Sequence, residues 1–147
     1  MSSQNHPSPQ FEVLRQRALE ARKRAYCRYS GHQVGAAILL SDGSIHVGCN
    51  VENSSYGATL CAERVAVHSA IAQLGPRIRI REIVVATDAT PPWPPCGMCR
   101  QVVAEFQENA RIHAVNPQGV VQSWTFEELL PHAFTPEFLS PDQAEQK

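Results

Sequence analysis

The chain has 147 residues, of which 43% are hydrophobic and 18% charged, and its formal net charge is -1 at pH 7. This size suits one domain over residues 1–147, with an ordered core from about residue 10 to residue 139 and polar tails. The near-neutral charge argues against a nucleic-acid partner, since nucleic-acid binders are usually strongly basic. The longest apolar runs are far shorter than the ~20 residues of a membrane-spanning helix, so no membrane partner is expected.

The first third of the chain predicts a helix followed by a β-hairpin. Apolar residues at helical spacing indicate a helix from about Gln10 to Tyr26. The apolar run from Val34 to Leu40 predicts a buried strand, and residues 41–44 (SDGS) are a turn signal. The inner stripe expected for the helix comprises Phe11, Leu14, Ala18, Leu19, Ala21 and Ala25.

The second strand of this hairpin alternates between apolar and polar residues from Ile45 to Glu52. Cys49 falls on the apolar face, where a free cysteine is more typical of a core than of a metal site. Asn50 and Glu52 fall together on the polar face at the strand's end. We therefore expect these two polar side chains to act at the same place.

The middle of the chain predicts helix, strand and helix. The helices are expected from about Leu60 to Leu74, ended by Gly75 and Pro76, and from Gly97 to about Glu108, with the strand at Ile80 to Thr87 between them. The inward-facing residues are expected to be Leu60, Val67, Ile71 and Leu74 in the first helix, and Met98, Val102, Val103 and Phe106 in the second.

Two short strands and a final helix complete the pattern. The strands are expected at Arg111 to Val115 and Val120 to Trp124, and residues 125–128 (TFEE) are typical of a capping box that opens a helix. The polar tail begins at Ser140. The order αββαβαββα predicts a layered α/β domain with a mixed five-stranded sheet.

The pair Cys96 and Cys99 fits a redox couple, part of a disulfide framework or half of a metal site. The polar opening stretch, MSSQNHPSPQ, lacks the apolar core of a secretory signal, so we expect a cytoplasmic protein with reduced thiols. An odd number of cysteines, five, also fits a closed disulfide framework poorly. Cys61 is the best further zinc ligand, because it begins a helix as the CxxC does, and a helix N-terminus favours the thiolate.

A fourth ligand would make such a site structural, whereas a water molecule in that position would make it catalytic. Cys27 or one of six histidines could close the site. However, Glu63 follows Cys61 by two residues, and a carboxylate beside an activated water is what hydrolysis requires. Three thiolates leave excess negative charge, which Arg64 or Arg100 could offset. We expect Arg64 to donate hydrogen bonds to the thiolates.

Cys61-Ala62-Glu63 and Pro95-Cys96-Gly97-Met98-Cys99, with 35 residues between the first cysteines, match the signature of zinc nucleobase deaminases. Together with AYCRYS, VGAA, GCNVENSSYG and ELLPHAF, they make residues from about 11 to 139 resemble the small, three-cysteine, homotetrameric cytidine deaminases. The resemblance implies a three-layer α/β/α domain and a homotetramer with active sites shared between subunits. It also implies zinc-dependent hydrolysis of cytidine and 2'-deoxycytidine to the uridines, in pyrimidine salvage.

The resemblance also implies residue roles. Cys61, Cys96 and Cys99 would bind Zn2+, and Glu63 would shuttle protons to N3 of the base and to the leaving ammonia. Asn50 and Glu52 would hold the ribose 3'-hydroxyl, Ala62 would belong to the substrate site, and Phe134 would stack on a neighbouring subunit's base. The chain departs from the pattern at His32, where the family has Phe, and at Pro94, where it has Ser. Both departures adjoin the expected base pocket, as does Trp93.

Other functions remain open at this point. The same chemistry could serve N4-modified cytidines or a nucleoside antibiotic, in keeping with the changes at His32 and Pro94. A polynucleotide deaminase is disfavoured by the overall charge and by the pair Asn50 and Glu52, which suits a free nucleoside. A non-enzymatic zinc-binding module is the alternative outside enzymes, and Glu63→Ala would separate it from a deaminase.

Overall fold

The computed structural model describes residues 6–139; the polar tails expected at either end therefore lie partly outside the described residues. The helices are α1 (Phe11–Arg22), α2 (Ala62–Leu74), α3 (Gly97–Phe106) and the short α4 (Phe126–Leu129). The strands are β1 (Gly35–Leu40), β2 (Ile45–Cys49), β3 (Ile80–Ala86), β4 (Gln107–Val115) and β5 (Val121–Thr125). Every helix within residues 6–139 falls short of the length and apolar character required to cross a membrane.

The five strands form one mixed sheet in the order β2-β1-β3-β4-β5. Only β3 and β4 pair in parallel, because α3 forms a crossover connection between them, whereas the other neighbouring pairs are antiparallel. The sequence prediction of a mixed five-stranded sheet is confirmed.

Helices cover both faces of the sheet, and the alternation along β1 shows why. Ala36, Ile38 and Leu40 pack with α2 and α3 in one cluster, whereas Ala37 and Leu39 pack with α1 in another. Such burial on both faces explains why β1 reads as a continuous apolar run rather than an alternating one. The arrangement is the expected three-layer α/β/α architecture.

The capping box predicted for the last helix is also confirmed. The Thr125 hydroxyl accepts from the Glu128 amide at 3.3 Å, and the Glu128 carboxylate accepts from the Thr125 amide at 2.7 Å. These two bonds satisfy amides that would otherwise lack partners at the helix start. They fix where α4 begins directly after the edge strand β5.

Two inward-facing assignments were wrong. Leu74, in the last turn of α2, is 49% exposed, and Met98, in the first turn of α3, is 63% exposed. Val67 is buried as predicted, and the other buried residues of α2 were not predicted to face inward: Ala62, Glu63, Ala66 and Ala70. Apolar spacing missed most of this face because small alanines form it.

Candidate active site

The candidate metal centre lies where two helices begin side by side. Cys61 precedes α2 and Cys96 precedes α3, both as N-cap residues with extended backbone, and Cys99 lies in the first turn of α3. The Sγ atoms of Cys61 and Cys96 are 3.8 Å apart, and those of Cys96 and Cys99 are 3.5 Å apart. Two sulfurs held ~2.3 Å from one tetrahedral zinc ion stand about 3.8 Å apart, so the donor set fits that ion.

Among residues 6–139, the candidate metal-binding group consists of three thiols. Within residues 6–139, neither a histidine nor Cys27 joins the three thiols, whose Sγ atoms lie within 4.8 Å of one another. All five cysteines are free, which agrees with the weak case for a disulfide framework. Cys49 lies outside the group, as expected, and burial raises the pKa of its thiol. Three protein ligands leave the fourth position available to water, as in catalytic sites.

The structure distinguishes the two arginines considered for charge compensation. Arg64 Nη2 donates to Cys61 Sγ at 3.5 Å and to the Thr59 carbonyl at 3.3 Å. Hydrogen bonds from the Cys99 thiol and from Arg64 lower the pKa of Cys61 to about 5. Arg100 instead donates to two backbone carbonyls. Arg64 is therefore the arginine in direct contact with a candidate ligand.

Glu63 is the predicted proton carrier, and it is buried. Its side chain is 4% exposed in the first turn of α2. Burial, and to a lesser extent the neighbouring Cys61 thiolate, raise the pKa of Glu63 to about 7. A carboxyl group with a pKa near neutrality is suited both to accept and to deliver a proton, which is the requirement for general acid–base catalysis.

A cleft of ≈ 240 Å³ opens above these residues. Asn50 and Glu52 line it together with Cys61, Glu63 and Cys96. The predicted grouping of Asn50 and Glu52 with the thiols is thus present, although β2 ends at Cys49 and both residues follow it. The cleft is lined by Val34, Asn50, Glu52, Thr59, Leu60, Cys61, Ala62, Glu63, Val85, Thr87, Trp93, Pro94 and Cys96.

Backbone amides hold the side chains of Asn50 and Glu52 in the cleft. The Glu52 carboxylate accepts from the amides of Tyr29 (2.8 Å) and Ser30 (3.0 Å) and from the Ser30 hydroxyl. These hydrogen bonds, above all the one from the Ser30 hydroxyl, lower the pKa of Glu52. Asn50 accepts from the Val34 amide at 2.8 Å. Both side chains are thereby fixed in orientation, with Glu52 as an anion.

The two departures from the family pattern, His32 and Pro94, differ in their relation to the cleft. Trp93 and Pro94 line the cleft, whereas His32 does not. The His32 ring contacts the Trp93 ring edge-to-face at 4.9 Å, and its Nδ1 lies 3.7 Å from Asp88 Oδ1. His32 therefore contacts a residue of the cleft wall, Trp93, but does not line the cleft itself.

Phe134 lies apart from its own chain's cleft. It is 55% exposed, stacks on Phe138 at 5.8 Å and lines a separate groove near the end of the described chain. Within residues 6–139, the cleft residues do not include it.

Thr59, Leu60 and Thr87 were not identified from the sequence as cleft residues. Thr87 is 1% exposed, and its hydroxyl accepts from the Trp93 amide at 3.3 Å, so it anchors the proline-rich loop. The sequence signal for Thr87 was its position as a polar residue directly after β3. Thr59 contributes a carbonyl to Arg64, which no side-chain pattern could indicate.

Comparison with known proteins agrees with this geometry. Residues 9–115 match the family model described as "Cytidine and deoxycytidylate deaminase zinc-binding region". A cytidine deaminase of Halalkalibacterium halodurans is 46% identical over 127 residues, covering 86% of this chain and 95% of the relative. One of Sporosarcina psychrophila is 43% identical over 130 residues, covering 88% and 94%.

A solved structure extends the similarity to the fold. The crystal structure of cytidine deaminase from Burkholderia pseudomallei has 42% identity and a TM-score of 0.78, covering 84% of this chain and 98% of that one. With the family model matched over more than half of the sequence, the assignment no longer depends on motifs alone. The chain belongs to the cytidine and deoxycytidylate deaminase family.

Proposed function

We propose that the protein hydrolyses cytidine and 2'-deoxycytidine to the corresponding uridines and ammonia, with zinc held by Cys61, Cys96 and Cys99. The observation that carries the proposal is one cleft that is lined by Glu63, by Asn50 and Glu52, and by two thiols of the three-thiol cluster, Cys61 and Cys96. The relatives named cytidine deaminase support this choice of substrate.

Each residue has a distinct task in the reaction. Bound zinc supplies the Lewis acidity that lowers the pKa of a water molecule. Glu63 accepts a proton from the attacking water and delivers it to N3 of the base. It then takes the proton of the new C4 hydroxyl and delivers it to the amino group, which leaves as ammonia while C4 becomes a carbonyl. A C4–O bond forms and the C4–N4 bond breaks. Because Glu63 is buried, water does not compete for its proton.

Asn50 and Glu52 serve the sugar in this proposal. A Glu52 carboxylate already oriented by two amides retains lone pairs that accept from a ribose 3'-hydroxyl. The negative charge of Glu52 also disfavours a phosphate group beside it in the cleft. Ala62 contributes to the wall beside the base. The free nucleoside, rather than a nucleotide or a polynucleotide, is therefore the proposed substrate.

Glu63→Ala tests the chemistry. We expect loss of at least ~10²-fold in kcat, because general acid–base catalysis contributes about 10²- to 10⁴-fold. The ultraviolet absorbance change on cytidine measures turnover, and zinc content and circular dichroism are the controls. Turnover that survives in the variant would contradict the role of Glu63. Wild-type protein that binds zinc but leaves both cytidine and N4-methylcytidine unchanged would favour the non-enzymatic zinc module.

Trp93, Pro94 and His32 favour a second candidate, the same hydrolysis on N4-modified cytidines or a nucleoside antibiotic. The first two residues line the cleft, and His32 contacts Trp93. Comparing kcat/KM on cytidine and on N4-methylcytidine separates the two substrates. A larger value on N4-methylcytidine would transfer the proposal to the modified nucleoside.

We further propose a homotetramer in which Phe134 enters a neighbouring subunit's cleft, working in pyrimidine salvage in the cytoplasm. Several large apolar side chains are exposed on the single chain, among them Tyr56 (75%), Phe138 (72%) and Phe134 (55%). Exposed apolar residues of this size favour burial in an assembly. The free cysteines support a reducing compartment.

A further inference from the structure

Arg100, the residue directly after the CxxC pair, links two distant parts of the chain. Its Nε donates to the Pro95 carbonyl at 2.8 Å, and its Nη1 donates to the Leu129 carbonyl at 2.8 Å. Pro95 immediately precedes the candidate ligand Cys96, and Leu129 is the last residue of α4. One guanidinium therefore joins the metal-ligand loop to the segment that follows the sheet.

The chemistry of this contact calls for arginine. Carbonyls in the last turn of a helix lack intrahelical partners, so the Leu129 oxygen needs an external donor. A planar guanidinium offers several donors in fixed directions, whereas a lysine ammonium is a point donor on a flexible stem. Arg100 lines a void of only ≈ 10 Å³ together with Pro95, Val103 and Phe126. A void this small has room for about one water molecule.

The neighbouring residue makes a second link to the same segment. Gln101 Nε2 donates to the Phe134 carbonyl at 2.7 Å. Residues 129–134 are thus attached to the first turns of α3 at both ends, through backbone oxygens that no side-chain substitution in that segment removes.

We propose that Arg100 is a positioning residue, which holds the Pro95–Cys96 peptide and the end of α4 in one arrangement and so couples metal binding to the order of residues 126–134. This inference rests on the proposed metal site, and it acts through the backbone rather than on the substrate. Because coupling between two sites is reciprocal, loosening either end must weaken the other.

Arg100→Lys, made in the full chain and loaded with zinc, tests one direction. We expect zinc release to excess chromogenic chelator to accelerate by about 10- to 100-fold, the usual cost of losing a residue that orients a ligand. Arg79→Lys is the matched control, since Arg79 is also half-buried and also donates to a backbone carbonyl, that of Ile78 at 2.7 Å. Equal release from both variants and the wild type would overturn the proposal.

The wild type alone tests the other direction, whether or not the variant folds. Removing zinc by chelation should accelerate amide hydrogen exchange in residues 126–134 more than in α1. Acceleration of equal size in both segments, or none in residues 126–134, would overturn the coupling. Failure of this inference is distinguishable from failure of the proposed function. A wild type that binds zinc and deaminates cytidine but shows neither effect refutes only the inference, whereas one that shows both effects but does not deaminate cytidine refutes only the proposed function.

Discussion

Individual groups around the thiol cluster compensate the negative charge that three thiolates would bring to a zinc site. One Zn2+ with three thiolates carries a net charge of about -1, which opposes ionisation of a bound water. Arg64 places a cation against Cys61, and the N-termini of α2 and α3 add partial positive charge. The arrangement offsets the excess negative charge without occupying the fourth position.

Arg64→Gln should weaken zinc retention and slow turnover, since the substitution removes the cation but keeps a polar side chain. We expect a loss of about 10-fold or more in zinc affinity, measured by competition with a chelator of known affinity, together with a fall in kcat. Arg79→Gln serves as the control for loss of a half-buried arginine far from the thiols. An unchanged zinc affinity and an unchanged kcat would together exclude this role for Arg64.

Among the secondary-structure elements, the contact between β2 and α2 sets the position of the site. A Cβ built on Gly48 would stand 2.4 Å from the Ala62 carbonyl oxygen and 2.6 Å from the Ala66 amide nitrogen. Both atoms belong to the backbone of α2, which therefore packs directly on the strand. Since Cys61 and Glu63 lie at the start of this helix, the glycine determines how closely they approach the cleft.

Gly48→Ala should consequently affect stability and activity together. The added methyl group must displace the first turn of α2, and overpacking of this kind costs about 1–3 kcal/mol in the free energy of unfolding. We expect a lower midpoint in urea and a reduced kcat/KM on cytidine. Gly57→Ala is the matched control, because nothing lies within 4 Å of its added Cβ. If the two variants behaved alike, the close packing at Gly48 would not control the site.

For the whole molecule, the separation of Phe134 from its own cleft has a direct consequence. An aromatic residue outside the cleft of its own chain can contact substrate only if it enters the cleft of another chain. The exposed aromatic side chains near the end of the described chain are in keeping with such an assembly. Activity would then belong to the oligomer rather than to the single chain.

Mixing two defective chains tests this shared site. Glu63→Ala alone should be inactive, and Phe134→Ala alone should show a KM raised by roughly tenfold or more, as expected for loss of an aromatic that stacks on a base. When the two variants are co-expressed with different tags and purified through both, some sites combine intact Glu63 and Phe134. We expect a component with the wild-type KM. A hybrid with only the raised KM would place both residues in one chain's site.

The sequence by itself determined the elements and the chemical groups of the site. A continuous apolar run marked β1, because both of its faces are buried, and a run rich in β-branched residues marked β3. CxE with PCxxC marked the thiols and Glu63, because together they match the signature of zinc nucleobase deaminases. The face of α2 that packs on the sheet was readable only at Val67, since alanines form most of the rest and Leu74 remains exposed.

Only the tertiary structure decided which arginine serves the thiols. Arg64 and Arg100 each stand one residue from a candidate site residue, yet one donates to Cys61 and the other to the carbonyls of Pro95 and Leu129. The sequence could not distinguish them because the second partner of Arg100 lies 29 residues away and is a backbone oxygen. Backbone partners carry no side-chain signal, so they become visible only when the chain is folded.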